Sequence, residues 1–262
     1  MTVPIIDESN IHQAIEERLD RLGQDPHTRQ PGCLPRRTAY GSLRHVPKAT
    51  DIIKPIPRSE WAGLISEGKG TFLHDLTKNV LPPHDQGNTN YCWAHGSTRS
   101  AEVLRVFEGQ APLILSAESV AVPITGGRNR GGYPEEALQQ LRNYGACRQE
   151  FWPLNDRNER NAKPGWEEDA KTRRLIRWCD VSGFEMQMTF ALLRVPVPIG
   201  LGWWGHLVCQ LDPIHFGGND FGIGCDNSWG SDYGDNGYFI LTERRGTADL
   251  GAFAPLTENF AA

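Results

Sequence analysis

The spacing of apolar residues changes character twice along the chain. Near the start, "SNIHQAIEERLDRLG" sets Ile11, Ile15, Leu19 and Leu22 on one helical face, with Ser9 placed to cap the helix and Gly23 to stop it. The next stretch, "QDPHTRQPGCLPRRTAYGSLRHVPKATDIIKPIP", has no period and is rich in proline and arginine, so it reads as an extended arm. From Ile56 helical spacing returns over about 92–108 and over 133–144. The latter is "YPEEALQQLRNYG", with Pro134 in its first turn and Gly145 past its end. Two more helices are expected, through "WEEDAKTRRLIRWC" and through "EMQMTFALLR". After Arg194 the runs shorten to strand length between glycines: "VPVPIGLGW", "GHLVCQLD", "FGIGCDNSW" and "GYFILTERR". Helices first and strands later predict an α+β chain with a helical half and a sheet or barrel half. A site between the halves would draw residues from both. No internal repeat is visible.

Composition narrows the class. At 262 residues and 39% hydrophobic the chain can bury a full core, and eight tryptophans argue for a folded globule. A net charge of −5 offers no basic footprint, so nucleic acid is not an expected partner. The longest apolar run, around "PVPIGLGWWGHLV", is short and broken by glycine, so no membrane span is expected. The opening residues lack a basic region followed by an apolar block, which argues against a secretory signal. Six cysteines stand singly at 33, 92, 147, 179, 209 and 225, without a CxxC pair. Reduced, mostly buried thiols are therefore the expectation, with neither a metal nor a cofactor.

One cysteine invites a different reading. Cys92 lies where the loop "HDQGNTNY" gives way to the helical "CWAHGSTRSAEVLRVF", so its sulfur can face the positive end of a helix. Taken alone it is an ordinary buried thiol, His206 an ordinary strand histidine and Asn227 an ordinary turn residue. Together they suit nucleophilic catalysis. Gln86 is placed to aim an amide donor at an oxyanion, with the Cys92 N–H as a second donor. His206 in "GHLV" can take and return a proton, and Asn227 in "DNSWG" can fix its tautomer under the cover of Trp229.

At these residues the sequence resembles the papain-like cysteine peptidases. "QGNTNYCWAHGS" is similar to the segment that opens the family's central helix. "GHLV" resembles the strand of its histidine, and "DNSWGSDYGDNGYFIL" its Asn-Ser-Trp-Gly stretch and the strand after it. "GGYPEEALQQLRNYG" resembles the glycine loop and helix on the non-primed side of the cleft, and "VSGFEMQMTFALLRVPVPIGL" the helix and strand leading into the barrel half. The likeness runs from about Ile56 to the C-terminus. Asn227 follows Cys92 by 135 residues, inside the family's spacing of roughly 130–150, whereas His206 follows by only 114, so the barrel half is trimmed before the histidine.

The resemblance implies a two-lobed fold. An extension occupies 1–55, a helical lobe with the nucleophile 56–165, and a barrel-like lobe with His and Asn 166–262. It implies a peptidase acting on polypeptide, with Cys92 as nucleophile, His206 as acid and base, Asn227 as orienter and Gln86 as oxyanion donor. Gly131 and Gly132 would bond an extended substrate, Tyr133 and Pro134 would wall a pocket, and Trp229 would line the primed side. Two alternatives use the same residues: a non-hydrolytic binding or structural module, and an acyl-transferring ligase.

Departures from the pattern carry their own expectations. Thr89 and Asn129 stand where secreted members hold a disulfide, and Gly205 replaces the usual Asn or Asp before the histidine. The missing disulfide points to a reducing compartment, cytoplasmic or inside a viral or bacterial particle. Propeptides of the family run backwards through the cleft. The present arm is short for that, and either docks on its own cleft or straps onto another protein. Elsewhere the readings are plain: His95 as a core or interlobe histidine, His84 and Asp85 as exposed loop residues, and Asp226 as a solvated or turn residue. Cys33 reads as an exposed loop thiol, and Cys209 and Cys225 as packed free thiols on adjacent strands.

Overall fold

The computed structural model describes residues 3–24, 31–35 and 46–256. Strand β1 (Ile5–Ile6) and helix α1 (Ile11–Leu22) come first, followed by α2 (Ala49–Ile52), α3 (Arg58–Glu67) and α4 (Leu73–Thr77). The helical half holds α5 (Cys92–Phe107), α6 (Glu118–Thr125), α7 (Pro134–Asn143) and α8 (Trp166–Lys171). Then come β2 (Arg177–Asp180), α9 (Phe184–Leu192), β3 (Val197–Leu201), β4 (His206–Gly217) and β5 (Asp220–Asp226). Strand β6 (Tyr238–Thr242), α10 (Glu243–Gly246) and β7 (Gly251–Leu256) complete the chain.

Local chemistry accounts for several of these boundaries. Helix α7 begins with Pro134, carries Glu135 and Glu136 in its first turn and Arg142 in its last, each favourable to the helix dipole. Helix α1 ends at Gly23, whose left-handed backbone (φ 58°) lets its N–H reach the carbonyl of Asp20. Its N-cap is Asn10 rather than Ser9. The face it buries is Ala14, Arg18, Leu19 and Leu22, so the helix is rotated from the apolar stripe and turns a charged residue inward.

The segment "WEEDAKTRRLIRWC" is not one helix. Helix α8 stops at Lys171, and Arg177–Asp180 pairs antiparallel with β7, with Trp178 opposite Pro255 and Cys179 opposite Ala254. A long-range partner overrides local helical spacing here. The barrel-like half is an open seven-stranded sheet in the order β1-β6-β5-β4-β3-β7-β2. Only β1 against β6 is parallel among the named strand pairs.

Two large apolar cores result. One lies under the sheet, where Trp61 meets Phe184 and Phe221 edge-on at 6.2 and 5.1 Å. The other fills the helical half around Trp93, Leu138, Leu141 and Trp152. Helix α5 joins the halves, and Gly96 is the reason it can. A Cβ on Gly96 would lie 2.2 Å from Leu207 Cδ2 and 3.4 Å from the Val208 carbonyl carbon, so only glycine admits β4 this close to the helix. Among the described residues no helix is long and apolar enough to cross a membrane.

Candidate active site

Cys92 is the first residue of α5 and is fully buried. The close packing at Gly96 brings the start of β4 alongside it, and the Leu207 N–H donates toward the Cys92 sulfur. His206, the first residue of β4, is its chain neighbour. The His206 ring is held from the far side, with Nε2 2.8 Å from Asn227 Oδ1. Asn227 Oδ1 is an acceptor fixed in turn by the Ser228 N–H at 2.8 Å, so Nε2 carries the hydrogen and Nδ1 is left for a thiol. Trp229 lies tilted over His206 with ring centroids 4.9 Å apart, and Trp204 meets both rings edge-on at 4.9 and 5.2 Å. Sequence reasoning overlooked Trp204, and its only signal was the "WWGH" run.

Gln86 is locked at both ends of its amide. Oε1 accepts from Ser228 Oγ at 2.7 Å, Nε2 donates to the Thr89 carbonyl at 2.6 Å, and the backbone N–H bonds Ser228 O at 2.9 Å. One amide hydrogen remains for an oxyanion. Ser228 thus serves both Asn227 and Gln86, a role the sequence alone left unseen. At Asn129, one of the two positions where the resemblance implies a disulfide in secreted members, the side chain accepts from the Asn90 N–H at 2.7 Å and donates to the Asn88 carbonyl at 3.2 Å. Hydrogen bonds hold that loop to the glycine loop instead.

The cleft is occupied by the chain's own arm. Gly32 N and Cys33 N donate to Gly205 O at 2.9 and 3.1 Å, Leu34 N donates to Gly132 O at 2.9 Å, and Gly132 N donates to Gly32 O at 3.0 Å. Cys33 therefore pairs with Gly132 in a parallel bridge. Gly32 lies directly on Cys92, for a Cβ there would be 2.6 Å from Cys92 Sγ. Cys33 is completely buried rather than an exposed loop thiol, because the pocket beside Gly132 and Gly200 encloses it. Gly131 and Gly132 bear on the arm and on Trp93 respectively, each too closely for a side chain. Pro134 is buried and Tyr133 half-buried at the same end of the cleft.

Coverage changes the electrostatics of the pair. Burial pushes the Cys92 thiol up to about 11, against the opposing pull of Arg18 and of nearby N–H groups. Burial, and then Arg18, pushes the His206 imidazole down to about 3, although the bond to Asn227 favours its charged form. The inward turn of Arg18 on α1 places its guanidinium near Gly32 and Gly205. Under the arm, the pair is a neutral thiol and a neutral imidazole.

Two other expectations are corrected. His84 is buried, not exposed, with Nε2 2.9 Å from Glu102 Oε1, while Asp85 does face solvent. Asp226 is neither solvated nor a turn residue, and Arg99 Nε meets its Oδ2 at 2.7 Å. His95 is buried in the interior, and Cys209 and Cys225 are buried free thiols on neighbouring strands. Among the described residues no cluster of three or more His, Cys, Asp or Glu side chains is arranged to hold a metal ion.

No protein-family model and no curated protein matches the sequence. The fold does match solved structures. Xylellain, a cysteine protease from Xylella fastidiosa, aligns with TM-score 0.64 at 16% identity, over 87% of this chain and 97% of that one. Digestive procathepsin L 3 from the larval midgut of Tenebrio molitor aligns with TM-score 0.58 at 14% identity, over 95% and 92% of the two chains. The proform of Amb a 11, a cysteine protease of ragweed pollen, aligns with TM-score 0.56 at 17% identity, over 69% and 63%. The chain has the papain-like α+β fold, and its neighbours include proforms.

Proposed function

We infer that this protein is a cysteine-type endopeptidase whose cleft its own N-terminal arm keeps covered. One observation supports the reading: the Leu207 N–H reaches the Cys92 sulfur at the start of α5, the preceding His206 has its Nε2 held by Asn227, and Gln86 is locked to Ser228. With the cleft open and wet, the thiol and imidazole form an ion pair. The Cys92 thiolate attacks the peptide carbonyl, and the Gln86 amide and Cys92 N–H receive the oxyanion. The imidazolium protonates the leaving amine. As a neutral base it then draws a proton from water, which releases the acyl group and restores the thiol. Gly131 and Gly132, freed of the arm, supply backbone hydrogen bonds for an extended polypeptide, and Tyr133, Pro134 and Trp229 flank it.

One observation favours a second reading, a non-hydrolytic module on the same fold: Cys92 and His206 are both shut off from solvent. Incubating the full chain with casein and with a quenched fluorescent peptide library, alongside Cys92→Ala and His206→Ala, separates the two. Cleavage by the wild type alone supports the peptidase. Equal products from all three support the module, as does no product from a wild type whose Cys92 takes up iodoacetamide and is therefore uncovered. All six cysteines are free, which fits a reducing compartment, cytoplasmic or inside a particle.

A further inference from the structure

The stripe of α5 that begins with Cys92 continues through His95, Arg99 and Glu102, and all four side chains are buried. Such side chains are rarely buried without partners, and these have partners on both segments that complete the active site. Arg99 Nε donates to Asp226 Oδ2 at 2.7 Å, and Asp226 is the residue before Asn227. Arg99 Nη1 also reaches Glu102 Oε2 and the Pro82 carbonyl, each at 3.2 Å. Glu102 Oε1 meets His84 Nε2 at 2.9 Å and accepts the Leu115 N–H at 2.7 Å. His84 stands two residues before Gln86, and its Nδ1 is 3.1 Å from His95 Nδ1. Burial alone would raise the Glu102 carboxyl, but His84, Arg99 and the Leu115 N–H hold it below its ordinary value. Burial, then the neighbouring imidazoles, keep His95 neutral.

We propose that Arg99 and Glu102 are positioning residues of the proposed peptidase reaction. Through Asp226 they set Asn227, and through His84 they set Gln86, both against the nucleophile carried by their own helix. The segments they grip also pair with each other, since Gly230 N bonds His84 O and Gln86 N bonds Ser228 O. Backbone pairing fixes the two segments to one another and, through β4, ties Asp226 to the sheet packed on α5, but it does not bond either segment directly to α5. The charged side chains supply those direct bonds, Arg99 to Asp226 and Glu102 to His84. A buried ion pair adds little stability over an apolar pair of the same volume, but its directional bonds suit the setting of registry.

The proposal rests on the peptidase reading, and three measurements on the full chain keep the two apart: peptide turnover, iodoacetamide labelling of Cys92 across pH, and thermal unfolding. The arm covers every variant alike, so ratios to wild type cancel it. Asp226→Asn is the cleanest cut, because Arg99 keeps Glu102 and no charge is orphaned. It should lower kcat by about 10- to 100-fold, the range set by a sub-ångström to 1 Å misplacement, with KM within about threefold. It should also displace the pH midpoint of Cys92 labelling, since Asn227 no longer holds His206 in place. His84→Leu should lower kcat comparably yet leave the labelling profile unmoved, because alkylation uses the thiolate and not the oxyanion donor. Unchanged kcat and labelling in Asp226→Asn overturn the proposal. Labelling and kcat that fall in parallel in His84→Leu, with a lowered Tm, overturn it too, as that is general loosening. A wild type that labels at Cys92 but cuts no peptide rejects the peptidase reading, and the midpoint shift in Asp226→Asn then still decides the positioning.

Discussion

Replacing Gly32 with alanine tests whether the arm is what shields Cys92. The new methyl would arrive 2.6 Å from Cys92 Sγ, with Arg18 Nη2 and the Asn90 carbonyl oxygen each 3.6 Å away on other sides. Gly32 does not have a positive φ, so the effect is steric rather than backbone strain. Among the described residues, the arm is tied to the cleft by the amides of Gly32, Cys33, Leu34 and Gly132, bonded to Gly205, Gly132 and Gly32 carbonyls. At about 1 kcal/mol net apiece, these bonds hold the arm by on the order of 4 kcal/mol. Inserting a methyl into a packed contact costs about 1–3 kcal/mol. A loss of about 2 kcal/mol raises the released fraction by about 30-fold, at one decade per 1.4 kcal/mol. The assay is second-order labelling of the full chain by iodoacetamide at pH 7.5, with the modified cysteine mapped by mass spectrometry. Cys92, and with it Cys33 on the arm itself, should label faster by about that factor while Cys147, Cys179, Cys209 and Cys225 keep their rates. Should Cys92 in Gly32→Ala label no faster than in wild type, the thiol has simply turned aside beneath a seated arm, and the coverage argument fails.

Acid should release the arm. His206 sits at about 3 when covered, against an ordinary 6.5, so protonation favours the uncovered state and docking weakens as pH falls below about 6.5. At pH 5 that amounts to about 2 kcal/mol, read as faster hydrogen exchange at the Gly32, Cys33 and Leu34 amides after correction for intrinsic rates. Exchange that is flat between pH 7.5 and 5 contradicts the burial of His206. Above pH 9 the covered Cys92 thiol, near 11, has the mirror effect, since ionisation then favours release. Gln86→Ala should cost about 10²–10³ in kcat with Cys92 labelling preserved, and a smaller loss than tenfold would remove Gln86 from the oxyanion site. Gly96→Ala forces a Cβ onto Leu207 and should destabilise the fold by about 1–3 kcal/mol, seen as a lower urea midpoint; an unchanged midpoint refutes the close-packing argument.

The local grammar of the chain was readable where the cause is local. Gly23 stops α1, Pro134 starts α7, Cys92 begins α5, and the short apolar runs after Arg194 become β3 to β6. The likeness of "QGNTNYCWAHGS", "GHLV" and "DNSWG" to a known pattern pointed to residues that the fold then brought into one cleft. Other features had no local trace. Strand β1 is only Ile5 and Ile6, and it exists because β6 offers an edge. "RRLIRWC" looked helical until β7 supplied a partner.

The residues most misread were charged or polar ones, and the reason is physical. A sequence registers that a side chain can be ionised, but its burial is decided by what lies opposite. Arg99 meets Asp226 across 127 residues of chain, and His84 finds Glu102 on another element. Cys33 read as an exposed residue of the arm and Arg18 lies outside the apolar stripe of its helix, and only the way those segments cross the cleft put them against Cys92. The sequence by itself determined which groups can do thiol chemistry and which helix begins with Cys92. Only the tertiary structure decided that the site is covered, by which residues, and how the charges behind it are paired, because those contacts form between segments whose separation no local period records.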